Sequence, residues 1–142
     1  MSTALDFMLA ARRSEMHALH ALELTCELVS AASRLVHALQ RERGFSNIYL
    51  GSLDQRFLAP LDGLSAESRA MQEQVSVCFD RMDLDGGCGA DKARLFNRIA
   101  YMLHCLEGLD ELRGRVRRQV LSPLEATQSF TRPIGGLLSM VF

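Results

Sequence analysis

VHALQRERGFSNIYLGS, from Val36 to Ser52, lies inside a helical pattern that no proline interrupts. Steps of three and four put Leu22, Thr25, Val29, Ala32, Val36, Leu39, Arg43, Ser46, Leu50, Leu53 and Phe57 on one seam, the spacing of an amphipathic helix. Arg43 falls in that seam. A guanidinium never deprotonates, and an isolated buried ion costs many kcal/mol, so Arg43 requires something anionic to meet it. Glu42 stands one step off the seam, in the flank with Leu28, Leu35 and Tyr49.

Neither glycine nor proline occurs from Thr3 to Arg43, which predicts a single long helix. Its start is marked by Thr3 and Asp6 at capping-box spacing, which favours a helix start over a targeting or membrane-surface reading of the amphipathic opening MSTALDFMLAARRSEM. Gly44 costs about 1 kcal/mol relative to alanine, little enough for the helix to continue to Ser52. At about 1.5 Å per residue such a helix is on the order of 70 Å long, more than a compact bundle of this mass needs. Part of it should therefore project or be covered by another chain.

Leu53 to Ser65 reads as a connection, with Pro60, the Asp62-Gly63 pair and Ser65 as an N-cap. A second helix is predicted from Ala66 to Met82 and a loop from Asp83 to Asp91. Calcium binding by that loop is excluded, because Arg81 and Lys92 would occupy the first and twelfth positions of an EF-hand loop. A third helix, with Phe96, Ile99, Leu103, Leu106, Leu109, Leu112 and Val116 at helical spacing, is predicted from Asp91 to Val120. Ser122, Pro123 and Glu125 then supply an N-cap, a first-turn proline and a capping-box partner for a fourth helix, which Pro133 and Gly135-Gly136 should kink. These elements predict one all-α domain over residues 1–142, an antiparallel four-helix bundle with a long first helix.

Composition agrees with a folded domain: 48% hydrophobic, 23% charged and only 3 prolines in 142 residues. The formal net charge of -1 gives no general field for nucleic acid or anionic lipid, so neither a direct nucleic-acid partner nor a membrane is expected. Of the 16 basic residues only Lys92 is a lysine, and arginine's planar fork suits flat oxyanions. The 4 cysteines form no C-x-x-C pair, and reduced thiols in a cytoplasmic chain are expected. No hydrolase or phosphate-loop motif appears, so no catalytic residue or cofactor is predicted. His17 and His20, with Glu23 and Cys26 beyond, lack a further cluster to complete a zinc site and read as surface or packing residues. Arg113, Arg115, Arg117 and Arg118 lack interleaved aromatics and read as a solvated face or an acidic-partner contact.

The stretch from Leu35 to Ser52 resembles the signature of the nitrate- and nitrite-sensing domain family at Leu39, Gln40, Glu42, Arg43, Gly44, Ser46, Tyr49 and Leu50. Weaker echoes follow in order, in LDELRGRV from Leu109 and FTRPIGGLLSMV from Phe130. The resemblance covers the first half of such a domain. It implies an all-helical receptor for a small oxyanion, ahead of a signalling output domain or partner protein, with arginines on bundle helices gripping the anion. On that basis Arg43 is the first ligand for nitrate or nitrite, Ser46 and Asn47 add neutral donors, and Tyr49 covers the site. Arg132 is the candidate second arginine and Arg113 its alternative. Glu42 would repel an anion, so its expected part is to orient an arginine. The alternative function is a helical interaction or dimerisation module in which Arg43 closes an ion pair with Glu107, Asp110 or Glu111. Association as a symmetric dimer through the first or last helix is expected in either case.

Overall fold

The computed structural model describes residues 3–84 and 90–141. Thr3 and Asp6 start the first helix by reciprocal bonds: the Thr3 N–H donates to Asp6 Oδ2 at 3.0 Å and the Asp6 N–H to Thr3 Oγ1 at 3.3 Å. The Thr3 backbone N–H, and after it the Thr3 hydroxyl, hold the exposed Asp6 carboxyl below its ordinary pKa. The helix, α1, runs from Ala4 to Ser52, passing Gly44 without a break. It ends where Leu53 turns left-handed at φ 55°, its N–H bonded to the Tyr49 carbonyl at 2.8 Å.

After a 3-10 turn at Gln55–Phe57, α2 spans Leu58–Leu84, well before the predicted start at Ala66. Pro60 permits this, because in a first helical turn its missing N–H leaves no bond unmade. Ser65 is therefore an interior residue of α2 and not its cap. The loop predicted at Asp83 to Asp91 falls mostly on residues 85–89, outside the described residues, between α2 and an α3 that spans Ala90–Glu107.

The predicted third helix is two, α3 and then α4 at Leu109–Arg117. Gly108, at φ -81° and ψ -4°, separates the two, and Leu106 before it and Leu109 after it are both buried. Past α4, Gln119 takes φ 58° while the Val120 N–H reaches back to the Arg115 carbonyl at 3.2 Å, closing the helix end. Helix α5, Pro123–Val141, stays one helix through Pro133, with Phe130, Ile134 and Leu137 buried along its length. Its start is the predicted box: the Ser122 N–H donates to Glu125 Oε1 at 3.3 Å and the Glu125 N–H to Ser122 Oγ at 3.1 Å.

The fold is all-α, as expected. The second half of α1 lies between α2 and α5, and α3 with α4 packs on α5 to complete a four-helix arrangement. Bridges from Arg41 to Glu67 (3.2 Å) and from Arg81 to Glu27 (2.5 Å) pin α1 and α2 antiparallel. Leu35, Leu39, Val75, Met102 and Phe130 are fully buried at the centre. Residues 3–23 of α1 are all exposed, and Leu24 is its first buried residue. Among the described residues no helix is long and apolar enough to cross a membrane.

Replacing Ser122 by alanine removes the cap of α5 and should lower stability by about 1 kcal/mol. Urea unfolding reads the loss. Hydrogen exchange should quicken at Leu124 to Gln128; unchanged protection there would contradict the cap.

Candidate functional site

The buried stripe of α1 is rotated from the seam drawn through Arg43. Leu28, Leu35, Glu42 and Tyr49, every seventh residue, are all buried, whereas Leu22, Thr25 and Val29 are exposed. The ionisable residue at the centre is thus Glu42, at 0% exposure, and Arg43 lies half-buried at the edge.

Glu42 is met by Arg113 of α4, itself 3% exposed. Arg113 donates from Nε to Oε2 at 2.8 Å and from Nη2 to Oε1 at 3.2 Å, a two-pronged guanidinium–carboxylate pair. Ser65 of α2 donates its hydroxyl to Oε2 at 2.6 Å. Arg113 Nη1 reaches Asp110 Oδ1 at 3.2 Å, and Arg69 Nε bonds the same oxygen at 3.3 Å. One carboxylate therefore ties α1, α2 and α4 together. Arg113, the alternative anion ligand, has its fork occupied by Glu42, and Arg117 pairs with Asp62, so the arginine run of α4 is not one solvated face. Tyr49 lies in the core with Glu42, its hydroxyl 3.4 Å from the Arg117 carbonyl, and does not cover Arg43.

Arg43 faces α5. Its Nη1 donates to Thr131 Oγ1 at 3.1 Å, and one turn on Asn47 Nδ2 donates to Thr127 Oγ1 at 2.8 Å. The Thr131 hydroxyl donates onward to the Thr127 carbonyl at 2.7 Å. Among the described residues no carboxylate pairs with Arg43, so the ion pair to Glu107, Asp110 or Glu111 does not form. Ser46, a turn away, is 1% exposed and its hydroxyl has no partner among the described residues. Arg132 lines a cavity of about 820 Å³ between α3, α4 and α5, with His104, Glu107, Glu111 and Arg115, and the structure does not bring it to Arg43.

Thr127 and Thr131 were not among the sequence candidates. Their signal is a threonine pair spaced i, i+4 on α5, matching the spacing of Arg43 and Asn47. Among the described residues no three His, Cys, Asp or Glu side chains gather where a metal ion could sit.

The bundle thus buries Arg113 in an ion pair with Glu42 and leaves the residue next to that carboxylate, Arg43, half-buried at the seam of α1 and α5. A family model described as nitrate and nitrite sensing matches residues 34–142, and the chain belongs to that family. It is 35% identical over 136 residues to a nitrate regulatory protein of Klebsiella oxytoca, covering 96% of this chain and 33% of that protein. The solved structure of the NasR transcription antiterminator superposes with a TM-score of 0.78 at 32% identity, covering 96% of this chain and 36% of that one. The chain thus spans about a third of the length of both relatives. The expectation of no direct dealing with nucleic acid is corrected by this finding, since that relative acts on transcription. Net charge measures only a general field and carries no information about such a task.

Arg113→Met should strand the Glu42 carboxylate in the core and cost about 3–5 kcal/mol in urea unfolding. Adding Glu42→Leu should recover most of that loss. A double variant as unstable as the single one would show that shape, not charge, sets the cost.

Proposed function

We propose that this chain is the anion-receiving bundle of a nitrate- and nitrite-responsive regulator, with Arg43 as the principal ligand and no catalysis of its own. The observation that carries the reading is the state of Arg43: half-buried, held by one hydroxyl, with its other N–H donors unpartnered among the described residues. Nitrate and nitrite are flat or bent monoanions that accept two parallel N–H bonds from one guanidinium. The Asn47 amide, one turn on, is the neutral donor beside the guanidinium, while the Thr131 hydroxyl accepts from Arg43 and gives its own proton to the Thr127 carbonyl. Glu42 orients Arg113 and, being sequestered by it, does not repel the anion.

An anion seated there would compete with the Thr131 hydroxyl for Arg43, the bond that ties α1 to α5, and so favour whichever relative position of the two helices suits it. A signalling output, in a longer protein that acts on transcription as the antiterminator does, could read that position.

Nitrate should raise the melting temperature by stabilising the folded state by RT ln(1 + [L]/Kd), about 2.7 kcal/mol at a hundredfold excess over Kd. Chloride at equal ionic strength should do much less. Arg43→Ala should abolish the nitrate-specific gain, and Arg43→Lys should reduce it strongly, because an ammonium lacks the planar fork. Identical responses to nitrate, nitrite and chloride would overturn the reading.

A further inference from the structure

The cleft that α3, α4 and α5 enclose, about 820 Å³, falls within the roughly 300–1,000 Å³ of small-molecule sites. Leu109, Leu112 and Pro133, all buried, form its apolar floor. Glu111 and Arg115 of α4 and Arg132 of α5 stand exposed at its rim. Glu111 precedes Arg115 by four residues, the order and spacing that favour an ion pair on a helix, yet the two do not bond. Among the described residues the side chains of Glu111, Arg115 and Arg132 have no hydrogen-bond or ion-pair partner.

Pro133 adds a backbone group. Lacking an N–H, it leaves the carbonyl of Ser129, one turn back in α5, without its helical donor, and both residues line the cleft. A backbone carbonyl is an obligatory acceptor, so this one takes its donor from outside the helix ladder. Charges of both signs and an open acceptor thus share one apolar floor. A small inorganic anion suits this cleft poorly, because Glu111, and Glu107 beside His104 at 3.7 Å, repel what the arginines attract. A simple cation meets the reverse objection.

We propose that this cleft binds a free α-amino acid with an aliphatic side chain. Its ammonium donates to Glu111 and to the Ser129 carbonyl, and its carboxylate accepts from the guanidinium groups of Arg115 and Arg132. Its side chain lies on Leu109, Leu112 and Pro133. The site is separate from Arg43, which meets α5 at Thr131, since Thr131 and Arg132 point about 100° apart on that helix.

Isothermal titration of the 142-residue chain with L-leucine in nitrate-free buffer tests this. Leucine should bind saturably. Isoamylamine, which is leucine without its carboxylate, and isocaproate, which is leucine without its ammonium, should each bind at least about tenfold more weakly, because each leaves charged partners in the cleft unanswered. Arg132→Gln should weaken leucine by a similar factor. Glu111→Gln should weaken leucine and tighten isocaproate, a reversal that a merely structural effect would not produce. Both residues are exposed, so thermal unfolding without ligand should be unchanged in either variant. Absence of saturable leucine binding overturns the proposal, as does binding that the single-charge analogues match or that survives Arg132→Gln. A nitrate response that Arg132→Gln removes would give the cleft to the inorganic anion and overturn it equally.

Discussion

The Glu42–Arg113 pair sets the rotation of α1. Adjacent residues of a helix point about 100° apart, so a carboxylate fixed at the bundle centre leaves its neighbour only the edge. Arg43 is that neighbour. Because Glu42 is held by two N–H bonds from α4 and a hydroxyl from α2, α1 cannot roll to bury Arg43 without stranding a charge in the core. Such a pair adds little net stability, since desolvation offsets most of its attraction; what it supplies is orientation. Two consecutive residues of the motif thereby separate into a structural lock and an open guanidinium.

The sequence displayed the fold more clearly than the site. Caps at Thr3 and Ser122 were legible because their bonds are local, and the length of α1 because nothing in it breaks a helix. The break at Gly108 was not, since the leucine spacing runs across it unchanged, nor was the early start of α2, which rests on Pro60 falling in its first turn. Steps of three and four from Leu39 reach both Glu42 and Arg43, and periodicity alone does not choose between positions 100° apart. Arg113 decides it, 71 residues away, and no local pattern shows that contact. Thr127 and Thr131 were overlooked for a related reason: a hydroxyl gains meaning as an acceptor only once the guanidinium or amide it faces is placed.

The two halves of α1 do different work. From Leu24 onward the helix forms the bundle's central wall and carries the lock and the open arginine. Ahead of Leu24 all of its described residues are exposed. The family model matches residues 34–142, so it begins ten residues into the buried part of α1 and omits the exposed first half. One unbroken helix, Ala4–Ser52, joins the two.

The arginine Nε–H signals in a nitrogen-15 NMR titration with nitrate report on both guanidinium groups at once. If Glu42 locks Arg113 and frees Arg43, the Arg43 signal should shift saturably with nitrate while the Arg113 signal stays fixed and exchanges slowly with water. An Arg113 signal that moves with nitrate, beside an Arg43 signal that does not, would contradict the account.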